Sequence, residues 1–102
     1  MGMALLGEKI GARKAEQWGL IWACVADDAF EERLNDLALH FSTAPTKGLA
    51  AAKQALNQSL RNTLAEQLDL ERDLMRELGY SDDYAEGVAA FMEKRTPVFK
   101  GR

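Results

Sequence analysis

Apolar residues in this sequence recur at three- and four-residue steps, which is the spacing of one face of an α-helix. The clearest stripe is formed by Phe30, Leu34, Leu37, Ala38 and Phe41. The two-residue alternation of a half-buried strand is nearly absent. This pattern predicts an all-α protein with about five or six helices and no β-sheet.

Short polar side chains mark where the helices begin. Ser, Thr and Asp at these places can accept hydrogen bonds from the free N–H groups of a first turn. Thr63 followed by Glu66 has the spacing of a capping box, and so does Asp28 followed by Glu31. The predicted caps are Asp28, Thr46, Thr63 and Ser81. We therefore expect helices over residues 29–42, after Thr46, after Thr63 and after Ser81.

Glycine and proline mark where the helices end. Gly19 is suited to the left-handed position that follows many helices, Gly79 is a natural helix stop, and Pro97 cannot continue a helix. Two short helices are predicted over residues 3–10 and 12–18, followed by a short extended segment at residues 20–26. Lys94 and Arg95 are expected in the final turn of the last helix, where their charge suits the helix dipole.

The domain prediction is a single helical domain over residues 1–102, because no repeat, low-complexity stretch or linker divides the sequence. The chain opens inside an apolar helical pattern without a capping residue before it. This opening predicts that residues 1–10 are the remnant of a helix belonging to a preceding part.

Composition narrows the class of protein. Hydrophobic residues make up 47% and charged residues 28% of the 102 positions, as in globular proteins. The net charge of −3 argues against a nucleic-acid partner, which would favour a basic face. No apolar run approaches the roughly 20 residues that span a bilayer, and no basic segment precedes the first apolar stretch. We expect a cytoplasmic protein with no membrane partner.

Residues for catalysis or metal binding are scarce. His40 is the single histidine, which excludes paired imidazole ligands, and it is expected to be partly exposed. Cys24 is the single cysteine and is expected to be a small buried apolar residue. The acidic residues fall mainly on predicted solvent faces. We therefore predict no catalytic residue and no metal site in this sequence.

Phe91 and Lys94 form the one candidate ligand site. Placed three residues apart on the predicted last helix, they would lie on the same side. An aromatic plane beside an ammonium group could stack on an adenine and neutralise a phosphate. Spacing alone favours the alternative, in which Phe91 is a core residue and Lys94 stabilises the helix end.

Four segments together resemble the C-terminal third of the enoyl-CoA hydratase/isomerase (crotonase) superfamily. They are Leu6-Gly7-Glu8-Lys9-Ile10, Ala15-Glu16-Gln17-Trp18-Gly19-Leu20-Ile21, Lys53-Gln54-Ala55-Leu56-Asn57 and the closing run from Glu86 to Phe99. The closing run is the most specific, because Phe91, the triplet Glu93-Lys94-Arg95 and Pro97 occur in order. Within the family, Glu16 to Trp22 and Gln67 to Asp73 are similar to the branch that isomerises the ring-epoxide of phenylacetyl-CoA. A general enoyl-CoA hydratase is the alternative.

The resemblance implies a function for the parent enzyme. In the family, a spiral of ββα units carries the oxyanion amides and catalytic carboxylates, and C-terminal helices cover it and help form trimers. These implications place catalysis outside this chain, make acyl-CoA the substrate and require no separate cofactor. They place Phe91 at the adenine and Lys94 at the nucleotide phosphates of CoA. The chain is expected to be inactive alone and to form a homo-oligomer.

A different class of function also fits the residues. Every capped helix and apolar stripe is explained by packing alone, so the chain could be a stand-alone helical interaction module that binds no CoA.

Overall fold

The structure, a computed structural model, describes residues 2–102 and contains no strand within that range. Its six α-helices are α1 (Gly2–Leu6), α2 (Ala12–Gln17), α3 (Phe30–Thr43), α4 (Thr46–Ser59), α5 (Leu64–Leu78) and α6 (Asp82–Glu93), with one 3₁₀ turn at Asp27–Ala29. The all-α prediction and the number of helices are therefore confirmed.

Two compact units make up the chain, Met1–Asp36 and Leu37–Arg102, and each is described by itself. The prediction of one domain over residues 1–102 stays a prediction.

The first unit contains short helices joined by irregular segments. The first helix is shorter than the predicted range 3–10, because it ends at Leu6 and Gly7 follows with φ +64°. As predicted, the second helix ends before Gly19, whose φ of +69° is the left-handed conformation that glycine adopts without a Cβ clash. Cys24 is half-buried, and its backbone N–H donates to Glu16 Oε1 at 3.0 Å.

Two of the predicted caps are confirmed. The Thr63 hydroxyl accepts from the Glu66 N–H at 3.4 Å, while the Glu66 carboxylate accepts from the Thr63 N–H at 2.8 Å. Ser81 accepts from the Tyr84 N–H at 3.1 Å and so caps α6.

The other two predicted caps are wrong. Asp28 lies inside the 3₁₀ turn, whose preceding residue Ala26 caps it without a side-chain bond. Thr46 is already the first residue of α4, because the Pro45 carbonyl accepts the first intrahelical bond, from Leu49 N–H at 3.1 Å. In both cases the helical bonds begin at a different residue from the one whose side chain could cap.

The second unit has a thin core. Its helices α4 and α5 pack together, and the Gln67 side-chain amide donates to the Ala55 carbonyl at 3.2 Å. Among the side chains of this unit, the buried ones are Ala90 and Asp83, whereas Leu60 is 88% and Leu64 77% exposed. The helices therefore leave large apolar side chains uncovered by the described chain.

Candidate functional site

An apolar groove lies along α6. Tyr84, Val88 and Phe91 follow each other at steps of four and three residues and so share one face of this helix. The groove has a volume of about 400 Å³ and is also lined by Pro45, Leu78 and Phe99, together with Lys47, Gly48, Ser81, Asp83 and Gly87. Phe91 is 82% exposed, so its ring is free to stack against another flat group. Phe91 is therefore not a core residue of the described chain, in contrast to the alternative that spacing alone favoured.

The helix ends just before the predicted cation. Glu93 is the last residue of α6, and Lys94 follows in the left-handed conformation with φ 54° and ψ 39°. The prediction that Lys94 and Arg95 belong to the final helical turn is therefore wrong. The three-residue rule that placed Lys94 beside Phe91 does not apply once the backbone leaves the helix. Lys94 is exposed and does not line the groove.

The turn at Lys94 is a Schellman motif. The Lys94 N–H donates to the Phe91 carbonyl at 3.3 Å, and the Arg95 N–H donates to the Ala90 carbonyl at 3.0 Å. These bonds satisfy carbonyls that the end of a helix otherwise leaves free. Glycine usually occupies the left-handed position of this motif, and here it is a lysine.

Glu86 ties the segment after this turn to α6. Its carboxylate accepts two bonds from the Arg95 guanidinium, at 2.6 and 2.9 Å, and a third from the Val98 N–H at 2.7 Å. The hydrogen bond from Arg95, followed by that from Val98, lowers the pKa of Glu86 to about 2. The same pairing raises the pKa of Arg95, to which Glu93 adds a bond at 2.6 Å.

Asp83 fixes the end of the same segment. Its carboxylate accepts from the Lys100 N–H at 2.6 Å and the Gly101 N–H at 2.8 Å. In return, the Asp83 N–H, one of the free donors in the first turn of α6, donates to the Arg102 carbonyl at 2.9 Å. Asp83 is only 5% exposed. We call residues 95–102, held by these bonds, the C-terminal strap.

Sequence reasoning missed both carboxylates, because it treated the acidic residues as solvent-facing. One signal was available. Asp83 and Glu86 lie three residues apart on one helix face and are followed by Gly87, which lies against the Phe99 ring. A Cβ built at Gly87 would lie 3.7 Å from that ring.

Metal-binding side chains are not clustered in the described residues. Over that part of the chain, no three His, Cys, Asp or Glu side chains are grouped so that they could hold a metal ion. His40 is exposed, as expected, and its ring lies edge-on to Phe41 with centroids 5.3 Å apart. No helix of the described range is long and apolar enough to cross a membrane.

Comparisons with known proteins point to one family. The family profile described as enoyl-CoA hydratase/isomerase matches residues 1–102. The chain is 50% identical over 102 residues to a 1,2-epoxyphenylacetyl-CoA isomerase of Escherichia coli K12, covering 100% of this chain and 39% of the relative. It is also 50% identical over 102 residues to a protein named "Probable enoyl-CoA hydratase" of Rhodobacter capsulatus, covering 100% and 40%.

Solved structures agree with the sequence comparison. An enoyl-CoA hydratase of Geobacillus kaustophilus HTA426 superposes with a TM-score of 0.88 at 28% identity, covering 96% of this chain and 37% of that one. The chain therefore spans about two fifths of the length of the relatives it matches, and it corresponds to their C-terminal part.

Proposed function

The chain belongs to the enoyl-CoA hydratase/isomerase family, and from that premise we propose that it is the C-terminal helical part of an enzyme acting on acyl-CoA thioesters. The observation that carries this proposal is the family match over residues 1–102. Because the chain covers about two fifths of its relatives, the reaction is a property of the longer protein. By itself, the chain should not turn over substrate.

Two reactions are open to the parent enzyme. One relative is named for isomerising an epoxide of phenylacetyl-CoA and another for hydrating an enoyl-CoA, and both are 50% identical to this chain. Equal identity does not choose between them. We propose ring-epoxide isomerisation, because the segments Glu16 to Trp22 and Gln67 to Asp73 are similar to that branch, with enoyl-CoA hydration as the alternative.

Phe91 and Lys94 are proposed to bind the nucleotide end of CoA. The exposed Phe91 ring offers a stacking surface for adenine, and the exposed Lys94 ammonium offers a charge for phosphate. Across residues 4–102, no carboxylate lies within ion-pair distance of the Lys94 ammonium, whereas Arg95 and Lys47 each have a partner. The Lys94 ammonium is therefore available to an anion from outside the chain, a property that it shares with Lys53.

The exposed apolar helix faces are proposed to meet the remainder of the enzyme and other subunits. Contiguous apolar surface of several hundred Å² tends to be covered by association. We therefore propose that the isolated chain forms a homo-oligomer. Sedimentation that finds a folded monomer at high concentration would argue against this part of the proposal.

A chimera tests the enzyme proposal directly. The segment that precedes the matched region in the Escherichia coli isomerase is joined to this chain, and turnover of the epoxide and of a short enoyl-CoA is measured. An active chimera supports the proposal, and Lys94→Ala should then raise KM with little change in kcat, because it removes binding shared by ground and transition states. Lys53→Ala, which removes an exposed charge from α4, is the matched control and should leave KM unchanged.

Titration of the chain with CoA separates this proposal from the stand-alone interaction module. The module predicts no binding by any variant. The nucleotide role predicts weak binding that declines with 3′-dephospho-CoA and with Lys94→Ala.

A further inference from the structure

Lys94 stands in a backbone conformation that its side chain disfavours. Among residues 2–102 it is the only residue other than glycine with a positive φ. A Cβ crowds the following carbonyl in this region, so glycine is the residue that usually ends a helix in this way. Strained residues of this kind persist where the surrounding contacts hold them, and they cluster at functional sites.

Backbone bonds to Ala90 and Phe91 close the turn at Lys94, and Glu86 holds the residues that follow it. The next residue, Arg95, is pinned by its two guanidinium bonds to the Glu86 carboxylate. Glu86 also holds Val98, four residues after Lys94. The backbone on the C-terminal side of Lys94 is therefore tied to a side chain two helical turns before it.

We infer that Glu86 is a positioning residue, which sets the left-handed turn and thereby directs the Lys94 ammonium to the nucleotide phosphates of CoA. This inference rests on the proposed nucleotide role of Lys94. Glu86 itself faces Arg95 and the strap and does not line the apolar groove. It acts on the ligand only through the backbone that it holds.

Charge and positioning predict opposite effects at this residue. Glu86 carries a negative charge near the proposed phosphate site, so on electrostatic grounds its removal should strengthen the binding of an anion. If Glu86 positions Lys94, its removal should weaken that binding. The sign of the change therefore separates the two explanations.

The test uses the full chain and three variants. Glu86→Gln removes the charge with little change in shape, and Glu86→Asp keeps the charge but withdraws the carboxylate by one methylene. Glu93→Gln is the matched control, because Glu93 also bonds Arg95, at 2.6 Å, but does not hold Val98. The intraresidue HN–Hα Overhauser effect of Lys94, which is strong at positive φ, reports the turn, and chemical-shift titration reports the affinity for CoA.

We expect a strong Lys94 signal and measurable CoA binding in the wild type. Glu86→Gln should weaken the signal and lower the affinity about tenfold, the size of one charge-assisted hydrogen bond. Glu86→Asp should also weaken both, and Glu93→Gln should change neither. Unchanged amide shifts around the Thr63 cap would show that α4 and α5 remain folded.

Other outcomes overturn the inference in distinguishable ways. Equal or tighter CoA binding by Glu86→Gln, with normal binding by the wild type, removes the positioning role and leaves the nucleotide role of Lys94 intact. Equal losses in Glu86→Gln and Glu93→Gln would show that any disturbance of Arg95 weakens binding, and they also remove the specific positioning role of Glu86. A wild-type chain that binds no CoA removes the nucleotide role in this chain and the positioning role with it.

Discussion

The helix α6 with its strap and the pair formed by α4 and α5 are stabilised in different ways. In the first region, Asp83 and Glu86 accept four bonds between them from backbone N–H groups and a guanidinium at 2.6 to 2.8 Å, and a fifth at 2.9 Å. In the second, apolar residues line the helices, yet Leu56 is 70% and Leu60 88% exposed.

The difference shows which requirements the chain meets by itself. Within the described residues, no buried side-chain nitrogen or oxygen lacks a hydrogen-bond partner. The buried polar side chains therefore have hydrogen-bond partners within the chain, whereas many large apolar side chains stay exposed. Substitutions that break the bonds of the strap should accordingly change the free energy of unfolding of the isolated chain. Substitutions on the exposed apolar faces should instead change its association with other chains.

The largest effect is expected for Asp83→Ala. It leaves the N–H groups of Lys100 and Gly101 without their acceptor, and unsatisfied donors of this kind should lower the free energy of unfolding by roughly 2–4 kcal/mol. Urea denaturation measures the change, and amide exchange at both residues should accelerate. Asp82→Ala is the control, since Asp82 is exposed and meets only Arg102, at 3.3 Å. Equal losses in the two variants would contradict the proposed importance of the buried carboxylate.

A smaller loss is expected for Gly101→Ala. Gly101 has φ +75°, and a Cβ there would lie 2.5 Å from Thr46 Oγ1. The left-handed strain and this clash should together cost about 1–2 kcal/mol in the free energy of unfolding. Combining the change with Thr46→Ala should restore the part due to the clash. Gly87→Ala is the contrasting control, because its Cβ would make an ordinary contact with Phe99 and improve helix propensity.

The sequence predicted some local features correctly, but its caps at Asp28 and Thr46 were wrong, and it did not predict the distant contacts. The Thr63 capping box and the Gly19 helix end depend on residues within three positions, so their patterns can be read directly. The bonds that the Asp83 carboxylate accepts from Lys100 and Gly101 join residues 17 and 18 positions apart. No periodic pattern in the sequence predicts contacts over such a separation. The same limit explains why the burial of Asp83 was not predicted.

The candidate site was predicted in composition but not in geometry. The exposed ring of Phe91 agrees with a stacking role, and its binding to CoA stays a prediction. Lys94 was placed by helical spacing, but the helix ends one residue earlier and Lys94 has a left-handed backbone conformation. The family resemblance indicated Lys94 as a candidate phosphate contact. Its left-handed conformation follows from the backbone bonds of the turn, which the sequence does not show.

A change of opposite sign is expected for Lys94→Gly. Glycine removes the Cβ crowding at φ 54°, so the free energy of unfolding should rise by about 1 kcal/mol. Binding of CoA should fall in the same variant, because the ammonium is lost. A variant that is more stable and binds CoA as tightly would mean that Lys94 contributes nothing to the ligand site.

Acid should loosen the strap through Glu86. Its pKa is lowered to about 2 by Arg95 and Val98, so its contribution is complete above the unfolded pKa, about 4.5, and is lost as pH falls through about 2. The NMR chemical shift of the Val98 amide should change with pH as Glu86 titrates. In Glu86→Gln this pH dependence should disappear. The pKa of Glu66 is also lowered, mainly by the bond from the Thr63 backbone N–H and then by the Thr63 hydroxyl. Acid that protonates Glu66 should therefore weaken the cap of α5.

The smallest effect on stability is expected for Met75→Gln on the exposed face of α5. Met75 is 73% exposed, and methionine and glutamine have similar helix propensities, so the free energy of unfolding should change by no more than about 0.5 kcal/mol. Self-association measured by sedimentation should nevertheless decrease if this face is an interface. A loss as large as that of Asp83→Ala would show that Met75 is enclosed within the folded chain, and the contrast between an internally satisfied strap and uncovered apolar helices would no longer hold.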